Sequence, residues 1–200
     1  TPMDPLKCVG SLMVGVWCSA VVGCSSGVSS APPVGSPSPS ATLECVPEAG
    51  GDPVSCGPIE FEQAQRRDAL YAEAEAVYRR FWVETLRVEQ LRDPSVTPEL
   101  EAVTGGVFRG SVGEVLAQSQ GRPRVSGEPQ LVWVHRLPGR SRAGSVVALS
   151  ACTDARDARF ANPGGQPTSG LRSENRFYFS RDAEGVLRIV DSEFREVESC

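Results

Sequence analysis

Between residues 59 and 92 the side chains of Leu70, Ala74, Val77, Tyr78, Phe81, Thr85 and Val88 recur at helical spacing, with no Gly or Pro among them. That period predicts a long amphipathic helix, with Pro58 just ahead of it and Asp93-Pro94 ending it. Tyr71, Tyr78, Phe81 and Trp82 share its apolar stripe, so they are expected to pack in the core and not to face a ligand. Thr97-Pro98 reads as an N-cap followed by Pro at the first helical position, giving a short helix to about Thr104 that Gly105-Gly106 stops. A third helix is expected over 111–120, with Ser111 as cap and Glu114 three residues on. After Gly121 the period changes to alternation, and strands are expected over 130–137, 145–152, 173–180 and 186–194. Leu131, Trp133 and His135 alternate with Val132 and Val134, and Phe177 and Phe179 with Tyr178. Asn162-Pro163-Gly164-Gly165 reads as an exposed loop, and Arg181 to Gly185 as a hairpin turn. Helices first and strands afterwards predict an α+β domain, a curved antiparallel sheet wrapped on a long helix, and not a parallel sheet.

The first part of the chain follows another rule. No charge occurs from Val9 to Leu43, but only Val9 to Val22 is apolar. Spanning a bilayer takes about 20 apolar residues, whereas about 7 to 15 suit the core of an export signal. Val21-Val22-Gly23-Cys24 then resembles the bacterial lipobox, which implies a signal peptide over residues 1–23 and a diacylglyceryl group on the Cys24 thiol, the nucleophile of that processing. Residues 25–42 are Ser, Pro, Gly, Ala, Val and Thr, too little apolar surface to offset the entropy of ordering. Residues 24–58 are therefore expected to be a disordered tether, and 59–200 the folded domain.

Seven cysteines are present. Cys8 and Cys18 fall in the signal segment and Cys24 is the lipidation candidate, leaving Cys45, Cys56, Cys152 and Cys200. Four in an exported chain imply two disulfides out of three connectivities, of which Cys45–Cys56 and Cys152–Cys200 are favoured. With no C-x-x-C pair and His135 as the sole histidine, no metal site is expected, and no cofactor.

The formal net charge is −5, which supplies no positive field for nucleic acid. The only Lys is Lys7, so the expected mature chain has no P-loop lysine; G-x-S-x-G and G-x-G-x-x-G are missing too. Arg136, Arg140 and Arg142 around Pro138-Gly139 read as a basic turn, suited to anionic headgroups or to mere solvation, with Arg122 and Arg124 near the same edge. The one candidate acid–base group is His135, with Asp154, Asp157 or Asp191 as partner.

Ala76 to Trp82 (AVYRRFW), Ala151-Cys152-Thr153-Asp154 at a strand end and Gly185 to Val190 leading to Cys200 resemble the NTF2-like cone domains, of the SnoaL and ketosteroid-isomerase kind, of secreted and lipid-anchored actinobacterial proteins. That resemblance implies the cone fold over residues 59–200. It hosts enzymes and binding domains alike. The expectation is a non-catalytic protein on the outer face of the cell membrane, binding a partner protein or small apolar ligand. The alternatives are an isomerase or cyclase using His135 and an Asp, and an accessory domain for cell-wall machinery.

Overall fold

In the computed structural model the described residues are 42–142 and 144–200. The expected signal segment, Cys24 and residues 25–41 of the tether lie outside them.

Residues 43–56, expected within the tether, belong to the folded unit. Strand β1 (Leu43–Cys45) pairs antiparallel with β2 (Val54–Cys56). The Cys45–Cys56 disulfide closes the hairpin, Cα–Cα 5.9 Å. A cross-linked loop this short has already lost most of the freedom that keeps Pro/Gly segments disordered, so few contacts suffice to dock it. Arg67 Nη2 donates to the Val46 carbonyl (2.7 Å) and the Tyr71 hydroxyl to Glu48 (2.7 Å).

Helix α1 (Pro58–Leu91) begins with Pro at its first position, where no N–H is missed, and the Glu60 carboxylate accepts the Gly57 N–H at 2.8 Å. It runs about 50 Å. Arg92, at φ 56°, ends it in the left-handed conformation, and the Arg92 and Asp93 N–H groups close on Glu89 and Val88 carbonyls. Helix α2 (Pro98–Val103) starts at Thr97, whose hydroxyl accepts the Leu100 N–H (3.3 Å) and donates to the buried Glu84 carboxylate of α1 (2.6 Å). Arg87 clamps the same carboxylate with Nε and Nη2 at 2.7 and 2.6 Å. Those Arg87 bonds, then the Thr97 bond, hold the Glu84 carboxyl below the usual range against its burial.

Helix α3 (Gly106–Ser119) starts at Gly106, not at Ser111. The sequence reads Gly105-Gly106 as a stop. It also serves as a start, because the Gly105 N–H donates to the Ile189 carbonyl at 2.8 Å and fixes the chain for a new helix that buries Phe108.

Seven strands follow: β3 (Arg124–Ser126), β4 (Gln130–Arg136), β5 (Val147–Asp154), β6 (Arg159–Phe160), β7 (Thr168–Ser169), β8 (Arg172–Arg181) and β9 (Leu187–Glu196). The main sheet is antiparallel in the order β4-β5-β8-β9, and β3-β6-β7 form a small second sheet. The fold is thus α+β, as the segregation of periods predicts. Val147, Leu149, Ala151, Phe177, Phe179, Leu187 and Ile189 face the helices and meet Tyr71, Ala74, Tyr78, Val88 and Leu100 in one core.

The opposite face of the sheet is covered by its own side chains. Opposite charges sit across β8 and β9, with Glu174 beside Arg195 (2.5 Å), Arg176 near Glu193 (3.7 Å) and the Tyr178 hydroxyl on Glu193 (3.1 Å). The Cys152–Cys200 disulfide, Cα–Cα 5.9 Å, ties residues after β9 to the middle of the sheet. Every residue of β5 from Val147 to Thr153 is buried as a result.

Candidate functional site

The structure separates the residues that the sequence offered as an acid–base pair. A bulge between Leu131 and Trp133 breaks the alternation of β4, so Leu131 stays with the core while Trp133 and His135 pair with Cys152 and Ser150 on the far face. His135 is exposed and stacked on Trp133, ring centroids 4.3 Å apart and planes 8° apart. Asp191 lies three strands away on β9, about 14 Å across the sheet. Asp154 pairs with Gln130 at the other end of β4, four residues along β5 from Ser150, the partner of His135, or about 13 Å. Each aspartate has another partner: Asp154 takes Arg156 and Arg172 (2.7 and 2.5 Å), and Asp191 takes Arg142 (2.8 Å). The hydrogen bonds of Arg156 hold the Asp154 carboxyl below its usual range. Asp157 is exposed in the turn after β5. What His135 borders is a groove of ≈ 550 Å³ between the β1–β2 loop, α1 and the edge strand β4.

Rings occupy the space between α1, α3 and the sheet. Phe177 of β8 stands 4.7 Å from Tyr78, 6.0 Å from Phe81 and 6.2 Å from Phe108, centroid to centroid. These spacings are those of packed, tilted aromatic pairs.

The basic turn is largely neutralised. Arg136 pairs with Asp68 (2.6 Å) and lies over the Tyr71 ring, while Arg142 bridges Asp191 and Glu193. Arg140 alone of the three has no ion pair among the described residues.

Arg122 and Arg124 lie elsewhere, on the wall of a second cleft of ≈ 560 Å³ between the ends of α1 and α3 and the small sheet. Pro123 between them biases Arg122 to extended backbone, and in an extended chain residues two apart share a face. Arg122 Nη2 donates to Thr168 Oγ1 (2.9 Å) and Arg124 Nη1 to the Gly127 carbonyl (2.8 Å). Neither has a carboxylate within ion-pair distance among the described residues. Val115, Phe160 and Leu171 supply apolar surface; Val115 is 56% exposed and Leu171 50%.

Two glycines allow this wall to form. Gly127, at φ +67°, takes the turn from β3, and a Cβ there would sit 2.2 Å from the Asp157 carbonyl oxygen. A Cβ on Gly170 would lie 2.5 Å from the Ala155 oxygen and 2.9 Å from the Phe160 ring.

Glu89, in the last turn of α1, faces the same cleft, and its carboxylate makes no hydrogen bond or ion pair among the described residues. Loss of water around it pushes its carboxyl up, with Arg124 opposing. The negative end of the α1 dipole acts in the same direction as the desolvation. Sequence reasoning singled out the two arginines but not Glu89, since nothing in the α1 pattern distinguishes it from the solvated Glu residues of that helix.

No protein-family model matches the chain, and no curated protein matches it. Among solved structures it is similar to ActVI-ORFA from Streptomyces coelicolor, at 14% identity over 64% of this chain and 97% of that one, TM-score 0.39. It is also similar to the intermembrane space region of the chloroplast protein ARC6, at 10% identity over 58% of this chain and 92% of that one, TM-score 0.34.

Proposed function

We propose that the chain is a lipid-anchored envelope protein that binds a small, partly apolar ligand and performs no chemistry of its own. The observation that carries the binding role is the ≈ 560 Å³ cleft at the ends of α1 and α3, within the size range of small-molecule sites and combining apolar surface with a few convergent polar groups. It replaces the cone interior as the place of binding, because Tyr78, Phe81, Phe108 and Phe177 occupy that interior. The non-catalytic reading is supported by the dispersal of His135, Asp154 and Asp191. Support for the anchor comes from Val21-Val22-Gly23-Cys24 with its Ser/Pro tether, and from two disulfides, which form and persist in oxidising compartments. Among the described residues no helix is long and apolar enough to cross a membrane.

The two halves of this reading have separate tests. Cys24→Ala should move the protein from the membrane fraction to the soluble envelope fraction; unchanged retention would remove the anchor. For the cleft, native mass spectrometry of protein extracted in mild detergent should show a small ligand adduct that Leu171→Glu abolishes. Because Leu171 is half exposed, the substitution should change stability by no more than about 0.5 kcal/mol. An adduct that survives Leu171→Glu would place the ligand elsewhere.

A further inference from the structure

The cleft has a charge pattern that selects among small ligands. Most guanidinium groups of the domain are tied to a carboxylate: Arg87 to Glu84, Arg142 to Asp191 and Glu193, Arg172 to Asp154, Arg181 to Glu73. Arg122 and Arg124 hold only a hydroxyl and a carbonyl, so each keeps donors for an incoming anion. Beside them stand the Phe160 ring and the half-exposed Val115 and Leu171, too apolar for a purely ionic ligand.

Resting on the cleft reading above, we infer that the ligand is a free single-chain amphiphile with a monoanionic oxyacid head, the head held between Arg122 and Arg124 and the chain laid along Val115, Phe160 and Leu171. Glu89 sets how strongly that head is held. The charged groups facing Glu89 across the cleft are Arg122 and Arg124; α3 and the β6–β7 segment contribute only uncharged side chains. With Glu89 protonated the cleft carries two positive charges, and with Glu89 ionised a net of one. Its carboxyl titrates above the usual range, so affinity for an anion falls as pH rises through that raised value.

The probes are decanesulfonate, whose head stays charged across the range, decanol and decyltrimethylammonium, each titrated calorimetrically into the full chain. Decanesulfonate should bind at least about tenfold more tightly than either of the others, the worth of one charge-assisted contact. Arg122→Ala/Arg124→Ala should remove that margin while leaving decanol binding intact, which also reports that the variant is folded. Glu89→Gln should bind decanesulfonate more tightly than the unaltered protein at about pH 8, with the gap narrowing toward about pH 5. Equal binding of decanesulfonate and decanol, or preference for the ammonium head, would overturn the anionic head and leave the cleft standing. A flat pH response in both proteins would remove Glu89 from the site. Capture by anionic phosphatidylglycerol vesicles that the double variant loses would make the arginines a membrane contact and overturn the free ligand. If no probe binds, the cleft reading itself fails.

Discussion

Phe177→Ala is expected to destabilise the domain by about 3–5 kcal/mol, the cost of deleting a large ring from a packed core. Phe177 is only 6% exposed and touches Tyr78, Phe81 and Phe108, which come from α1 and α3 and cannot close on the gap without moving a helix. For a domain of this size the midpoint of thermal unfolding should drop by about 10 °C. The variant also tests what fills the space between α1, α3 and the sheet. A cavity lined by the remaining rings would stay dry and admit a small aromatic molecule, so benzene should recover part of the lost stability by mass action. A cost below about 1 kcal/mol would mean that the ring is peripheral, and the interior would again be available as a binding site.

Removal of the Cys152–Cys200 bond has the next largest expected effect. The bond closes a loop with a sequence separation of 48, and chain entropy assigns such a loop about 4 kcal/mol, against about 3 kcal/mol for the Cys45–Cys56 loop at a separation of 11. Cys200→Ser also frees the residues that Arg172 Nη1 holds through the Glu198 carbonyl (2.7 Å). In urea, under non-reducing conditions, the variant should unfold at a clearly lower concentration, and reduction of the unaltered protein should reach at least as low. Coincident transitions for the variant and the oxidised protein would show that the cross-link contributes nothing.

The parts of this fold that could be read from the sequence are those set by local period. Helix α1, the four long strands and the helix-then-sheet order follow from apolar spacing, and their ends shift by no more than about two residues. Cysteine count and context singled out both disulfides. What could not be read depends on contacts distant in sequence. Gly105-Gly106 looks like a stop until Ile189 accepts the Gly105 N–H. Strands β3, β6 and β7 are two or three residues long and show no alternation. The β4 bulge moves Trp133 and His135 to the face opposite Leu131, which no alternation count foresees. Asp154 and Asp191 read as candidate partners of His135, yet they serve the ion-pair covering of the outer sheet face. That covering has a visible trace in Arg172, Glu174 and Arg176, charges at every second position of β8, which become meaningful only once β9 lies alongside. Glu89 had no signal at all, because its distinction is the water that α3 and the small sheet take away from it.

The cross-linked hairpin ahead of α1 also decides how the domain bears a load. A pull on the chain at Thr42 reaches Cys45 and crosses the sulfur bridge to Cys56, two residues from the start of α1. Tension therefore bypasses residues 46–55, and the loop that touches Arg67 and Tyr71 keeps its shape while the backbone on either side is stretched. A load applied ahead of the hairpin therefore enters the domain at the start of its longest helix and leaves aside the loop that borders the groove beside β4.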